Sequence, residues 1–296
     1  MTRDHWIDLG LLAAIVFAWS TSWIALKSQV GVVAPEVSVF WRFLLAAPLT
    51  FAYATMRGSR LTFPLKAHLG FMAMGILIFS TNFILFYYGA VYLPSGLLSV
   101  VFSLASVINL LLAFLLFGDR INLRVALGGL AGFLGVALMF QPEIARAGTA
   151  AGGTVLFGLG LCAIGTLCFC FGNMLSSRLQ RHSIPVIGAT AWGMAYGTIW
   201  AGLLGLVTGD RFQLEWTPLY FGSLAWLVLV STVLAFLTYL TLLGRIGAAR
   251  AGYATVLFPA FALVISSLVE GYVFTPFALI GLGLVAFGNF LVLRRA

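Results

Sequence analysis

Adding 151 to a residue number in the first half of this chain repeatedly lands on the same kind of residue. Ser80-Thr81 falls on Ser231-Thr232, Tyr88 on Tyr239, Gly96 on Gly247, Asp119 on Glu270 and Gly132 on Gly283. The register also holds for Lys27 and Arg178, Trp41 and Trp192, Gly58 and Gly209, and Arg60 and Arg211, with no gap. A chain written twice in one register is expected to fold as two copies of one module, here 1–147 and 148–296. Self-similarity of this kind constrains the architecture before any local motif does.

What the module is made of follows from its apolar content. A soluble domain is roughly 45–50% apolar and about 25% charged, whereas this chain is 62% hydrophobic and 8% charged. It cannot cover its own surface with polar groups. Its charges gather in short clusters between apolar runs of about 20 residues, the length a helix needs to cross ~30 Å of hydrocarbon. The expected fold class is an all-α polytopic membrane protein with ten transmembrane helices. The spans fall near 7–27, 36–56, 68–90, 95–117, 122–141, 153–177, 185–207, 217–241, 247–270 and 274–293. The longest connection, Pro142–Gly153, is rich in Ala and Gly and reads as a linker between the halves. Met1–Asp8 carries both signs of charge and no small-residue cleavage site follows, so no cleavable signal peptide is expected. Cys162, Cys168 and Cys170 share one apolar run and are expected to pack rather than to pair or hold a metal.

Basic residues set the orientation. With the N-terminus in the cytoplasm, the inner segments hold Arg3, Arg57, Arg60, Lys66, Arg120, Arg124, Arg178, Arg181, Arg245, Arg250, Arg294 and Arg295. The outer segments keep only Lys27, Arg146 and Arg211. Lys and Arg bias orients short-loop membrane proteins, so both termini are expected in the cytoplasm and the net charge of +8 reads as topology, with no nucleic acid implied. Five spans per repeat is an odd number, so the second repeat enters the membrane upside down. A 5+5 inverted repeat is the architecture of many secondary transporters, whose substrate sites lie near the midplane between the repeats.

Two stretches also carry a family resemblance. Pro35 is followed by Arg42 in the pattern Pro-x6-Arg-Phe-Leu-Leu-Ala-Ala, and Gly118-Asp119-Arg120 precedes the glycine run Gly128 to Gly135. The chain thereby resembles the EamA-type branch of the drug/metabolite transporter superfamily over essentially its whole length. The second copy departs from the pattern, with Val186 in the place of Pro35 and Gly193 in the place of Arg42. The resemblance implies ten helices, a 5+5 inverted repeat and carriers that mostly export small metabolites from the bacterial inner membrane. Taken whole, the chain is most similar to the bacterial amino-acid exporters of that family, those for aromatic amino acids included.

Chemistry must come from polar groups that a bilayer would otherwise reject. Thr81 and Tyr88 are seven apart, nearly on one helix face, and Thr232 and Tyr239 repeat the arrangement. Ser80 and Thr81 fall near the middle of their span. Ser95, Ser99, Ser103, Ser106 and Asn109 form one stripe on the fourth span, and Thr166, Asn173 and Ser177 another on the sixth. The first span brings Trp19, Ser22 and Trp23 together. Serines and threonines can equally serve helix packing, as the glycines of span five and Gly193-x3-Gly197 are expected to do. Spread over five spans, the stripes favour a wet cavity. Trp19, Trp23, Tyr87, Tyr88, Phe102, Tyr239 and Tyr253 lie beside them, and such rings stack on aromatic substrates or hold cations.

The expected binding residues are thus Trp19, Ser22, Trp23, Ser80, Thr81, Tyr87, Tyr88, Phe102, Ser103, Asn173, Thr232, Tyr239 and Tyr253, with Pro259 as a hinge in span nine. Every acid and histidine lies in a loop or at a helix end, which disfavours proton antiport through a carboxylate inside the membrane. Arg42 is the one charge within a span, close to its outer end, from which its stem can snorkel outward. Otherwise it lends positive potential to the outer vestibule. The cavity is therefore expected to have no ionised group at its centre and to suit a zwitterion with an apolar or aromatic side chain. The alternative is efflux of planar organic cations or other small drugs and metabolites. A pore would want a charged ring at a constriction, and an enzyme a nucleophile with a base or a metal cluster; neither pattern is present in the sequence. No cofactor is expected, and a monomer in the bilayer suffices. Single cysteines placed at Arg57, Arg120 and Arg245 are expected to react only from the cytoplasmic side, and those near Glu143 and Asp210 only from outside. Labelling at 120 and 210 from one side would overturn the inverted ten-span topology.

Overall fold

The computed structural model describes residues 3–118, 123–146, 148–236, 238–239, 241–242, 245 and 253–293. Among the described residues every regular element is helical. The helices are α1 (Arg3–Lys27), α2 (Pro35–Met56), α3 (Leu65–Tyr92), α4 (Ser95–Phe117) and α5 (Leu123–Arg146) in the first half. The second half has α6 (Gly148–Arg181), α7 (Val186–Thr208), α8 from Pro218–Leu234 onward, α9 (Tyr253–Glu270) and α10 (Pro276–Leu293). Each corresponds to one span read from the sequence. Trp6–Lys27, Pro35–Met56, Leu65–Tyr92, Ser95–Phe117 and Gly153–Arg181 are long and apolar enough to cross a membrane. Shorter apolar stretches, Ala126–Pro142, Pro218–Leu234, Leu257–Glu270 and Pro276–Leu291, lie in α5, α8, α9 and α10.

The described residues of the linker expected over Pro142–Gly153 are helical. α5 continues through Pro142 to Arg146, and α6 is already helical at Gly148. Alanine is the best helix former, and a proline near a helix end removes only one backbone hydrogen bond. An Ala-rich stretch between two spans therefore extends them. Asp119 and Arg120, and Gly247 and Arg250 of the second copy, lie outside the described residues.

The halves pack as an inverted pair. α2 lies against its own equivalent α7, α4 against α9, and α5 against α10. Several further pairings come in matched sets: α1 with α9 and α6 with α4, α1 with α8 and α6 with α3, α2 with α8 and α7 with α3. Contacts between equivalent elements are what a two-fold relation between the halves generates. Local details repeat too. Trp41 Nε1 donates to Gln213 O at 3.3 Å, and its equivalent Trp192 Nε1 donates to Leu61 O at 2.9 Å, each reaching the segment that follows the partner helix. Gly58 and Gly209 end α2 and α7 with φ of 62° and 77°, left-handed geometry that costs glycine nothing.

In lipid, two helices gain nothing by hiding apolar surface, so close backbone approach decides which faces meet. Glycine provides it at two seams. A Cβ on Gly75 of α3 would lie 2.5 Å from Gly193 O and 2.8 Å from Gly197 N of α7. Between α5 and α10, a Cβ on Gly135 would lie 2.5 Å from Gly281 O, and one on Gly281 equally close to Gly135 O. The packing role read for these glycines is thus what the helices show. Exchange of Gly for Ala favours an isolated helix by about 0.8–1.0 kcal/mol, yet backbone atoms here cannot step aside. Gly75→Ala and Gly281→Ala are therefore expected to lower the midpoint of thermal unfolding in detergent, against propensity. Gly283→Ala, with open space around it, should raise the midpoint or leave it unchanged.

Candidate substrate site

Among the described residues, four helices carry defects that match across the repeat. α3 passes through a π turn at Leu77–Thr81, and α8 through a longer one at Trp226–Leu234 that contains the equivalent positions. Each includes a Ser-Thr pair, Ser80-Thr81 or Ser231-Thr232. Thr232 Oγ1 donates to Leu227 O, five residues back, at 2.7 Å, so the hydroxyl supports the wide turn. α4 breaks at Leu104, between the segments Ser95–Ser103 and Ala105–Phe117. α9 contains Pro259, whose missing N–H frees the carbonyl of residue 255, the equivalent of Leu104. In α4 no proline is needed. Ser99, Ser103 and Ser106 donate to carbonyls three residues back at 2.5, 2.7 and 3.0 Å, a pattern that bends helices. The serine stripe read as a cavity lining is therefore committed largely to its own backbone.

Between the defective helices lies an aromatic cluster. Trp23 meets Phe86 at 5.1 Å and Phe102 at 5.5 Å, and stacks near-parallel to Phe258 at 6.4 Å. Phe102 reaches Phe169 at 4.7 Å, while Trp19 packs against Tyr239 at 5.5 Å and Phe258 at 6.2 Å. Trp19, Trp23, Phe102 and Tyr239, named from the sequence, thus meet where α1, α3, α4, α6, α8 and α9 converge. Phe86, Phe169 and Phe258 complete the cluster and escaped sequence reasoning. With 26 phenylalanines in the chain, only their helical spacing from the named rings could have marked them.

The other named residues scatter. Tyr87 is fully buried and donates to Gln29 Oε1; Tyr88, 38% exposed, donates to the Glu36 carboxylate at 2.9 and 3.1 Å. Neither ring joins the cluster, because both hydroxyls find acceptors at the start of α2 and the segment before it. Ser22 Oγ donates to Trp19 O at 2.7 Å, and Ser103 Oγ to Val100 O, each within its own helix. Thr81 and Asn173 are half-buried. Ser80 is wholly buried, and its Oγ has no hydrogen-bond partner among the described residues. Tyr253 opens α9, but its side chain lies outside the described ones.

Arg42 overturns the outward-reaching reading. It is 4% exposed and turned into the protein, donating from Nε at 3.3 Å and Nη2 at 3.1 Å to Thr232 Oγ1. Its guanidinium carbon sits 4.3 Å above the Phe83 ring and 5.4 Å from that of Phe43. The reason is packing: α2 lies between α7 and α8, so residue 42 faces α8 rather than lipid. The interior of the protein therefore does contain an ionised group. An arginine at a membrane-helix centre costs roughly 2.5–3.5 kcal/mol on insertion scales. A cation–π contact returns about 0.5–2 kcal/mol and a hydrogen bond from a charged group about 1.5–3 kcal/mol. Phe83 and Thr232 thus offset the placement without neutralising the charge. Among the described residues no carboxylate pairs with it.

The α3–α4 corner is capped by side chains from two other helices. The Glu270 carboxylate at the end of α9 accepts from Ser95 N at 2.9 Å, from Ser95 Oγ, and from Ser266 Oγ at 2.7 Å, capping the start of α4. Lys27, at the end of α1, donates to Ala90 O and, at 3.1 Å, to Leu93 O, capping the end of α3. The α3–α4 corner is held there by a negative group on α9 and a positive group on α1.

A solved chain that is 16% identical superposes with a TM-score of 0.67 over 98% of both chains, which extends the likeness of fold to the full length. An "Uncharacterized transporter" of Archaeoglobus fulgidus is 26% identical over 285 residues, 96% of this chain and 98% of its own. The "Uncharacterized inner membrane transporter YedA" of Escherichia coli is 23% identical over 284 residues, 96% of this chain and 89% of its own. The pattern of the EamA-like transporter family matches once in each half, at residues 6–141 and again at 156–294. This chain, a membrane transporter by that descent, belongs to the EamA-like transporter family.

Proposed function

We propose that this transporter exports neutral amino acids, large aromatic ones included, by alternating access at the interface between its repeats 1–147 and 148–296. The carrying observation is the aromatic cluster of Trp19, Trp23, Phe86, Phe102, Phe169, Tyr239 and Phe258, contributed by both repeats and placed among helices with matched defects. Rings so arranged offer an apolar aromatic side chain offset-stacked and edge contacts, each worth about 0.5–1.5 kcal/mol beyond burial. Defects in α3, α4, α8 and α9 let the two ends of these helices move separately, which supports a site opened alternately to either face. Planar organic cations fit less well, because the buried Arg42 charge repels them in a medium of low dielectric. The basic-residue count supports the bacterial inner membrane with both termini in the cytoplasm. A monomer contains both repeats and hence the whole site.

Flux of radiolabelled phenylalanine into proteoliposomes, with competition by other solutes, tests this reading. Saturable uptake, competed by tryptophan and leucine, is expected. Tyr239→Ala should raise KM about 3- to 10-fold, the loss of one aromatic contact. Pro259→Ala restores a backbone hydrogen bond and is expected to slow kcat more than it changes KM. Uptake that requires a strongly anionic solute such as a nucleotide-sugar, with no competition by neutral amino acids, would sink the amino-acid assignment.

A further inference from the structure

Arg42 is the feature that an amino-acid site made only of rings and hydroxyls leaves unexplained. It is a buried cation at the junction of α2, α3 and α8, and no anion accompanies it among the described residues. Its planar fork is partly used. Thr232 Oγ1 occupies the Nε–Nη2 edge and Phe83 covers one face, while among the described residues no hydrogen bond engages Nη1. The remaining Nη1–Nη2 edge presents two parallel N–H groups, the geometry that matches a carboxylate bidentately. A second observation lies on the neighbouring helix. Ser80 Oγ, wholly buried one turn before Phe83, has no partner among the described residues, although a buried hydroxyl nearly always finds one.

From this geometry we infer that Arg42, oriented by Thr232 and assisted by Ser80, is the anchor for the carboxylate of the transported molecule. The inference rests on the amino-acid reading for the rest of the substrate but stands on the guanidinium alone for the carboxylate. Arg42 is 4% exposed here, so a carboxylate reaches the Nη1–Nη2 edge only when the surrounding helices part, with the Thr232 contact on the other edge kept. The anchor occurs once. The position equivalent to Arg42 is Gly193, packed against Met74 and Phe79. A substrate is therefore held by its carboxylate on one side of the repeat interface only, which fixes its orientation in the cluster.

The test follows thermal unfolding of the full chain in detergent with three probes. These are phenylalanine, phenylpropionate (carboxylate without amine) and phenethylamine (amine without carboxylate). Phenylalanine and phenylpropionate are expected to stabilise the protein, and phenethylamine not. Ser80→Ala removes a hydroxyl that bonds nothing, so the fold should survive while apparent affinity for both carboxylates falls about 3- to 10-fold. Arg42→Gln should weaken them about 10- to 100-fold, with Arg42→Lys between, since an ammonium lacks the planar fork. If Arg42→Gln does not fold, Ser80→Ala and Arg42→Lys carry the comparison. Equal stabilisation by phenethylamine and phenylpropionate overturns the anchor, as does stabilisation by no probe, or carboxylate binding unchanged in the variants. Stabilisation by phenylpropionate but not phenylalanine keeps the anchor and removes the amino-acid reading instead.

Discussion

A bilayer offers no water to a backbone N–H or C=O, so a helix that deviates from the α ladder must find a substitute partner within the protein. The architecture described above is largely a set of such substitutions. At α8 the Thr232 hydroxyl supports a wide turn; at α4 three serine hydroxyls share carbonyls with the helix they belong to. At the α3–α4 corner, where two helix ends meet, Glu270 and Lys27 supply the missing donors and acceptors from other helices. The corner thus depends on α1 and α9 being in place, and α1 and α9 on the corner. Local backbone chemistry and long-range packing are one constraint here.

The repeat imposes symmetry on the scaffold but not on the contents. Trp41 and Trp192 play matched parts, as do Gly58 and Gly209, because both serve packing and chain reversal, needs that the two halves share. Arg42 and Gly193 do not. Where α7 meets the π turn of α3, glycine allows backbone contact; where α2 meets that of α8, a guanidinium fills the gap and brings a charge with it. One seam is therefore held by close van der Waals approach and the other by a charge-assisted hydrogen bond over an aromatic face. The first is insensitive to what occupies the centre of the molecule, whereas the second is sensitive to any nearby anion.

Much of the scaffold was legible in the sequence because its causes are periodic. Apolar runs of membrane length, basic clusters and a gapless register of 151 residues each leave a mark that needs no tertiary knowledge. The helix defects leave almost none: an extra residue in a π turn changes no composition, and only the Ser-Thr pairs hint at it. Pro259 was visible, whereas its counterpart at Leu104 was not, since serine back-bonding resembles any polar stripe. Arg42 was misjudged because a charge near a span end snorkels unless neighbouring helices cover it, and which helices cover it is a packing fact. Tyr87 and Tyr88 were drawn to Gln29 and Glu36, acceptors whose proximity spacing along one helix cannot reveal. The Ala-rich stretch at 142–153 was ambiguous for the opposite reason, since alanine and glycine in sequence suit linkers while alanine in space prefers helix.

The unpaired residue Arg42 has a consequence for energy as well as for binding. Two identical modules joined upside down can exchange roles, and their two open forms would then be equal in free energy, each half populated. A charge present on one seam and absent from the other removes that degeneracy. Every 1.4 kcal/mol of difference tilts the balance tenfold, and an arginine that trades a hydroxyl for solvent or for a carboxylate changes its energy by about that much. In the alternating-access reading proposed above, the empty molecule would have a resting side, and a carboxylate engaging the same guanidinium would shift the balance. On that reading duplication supplies two directions, and a charge carried by one half alone makes them unequal.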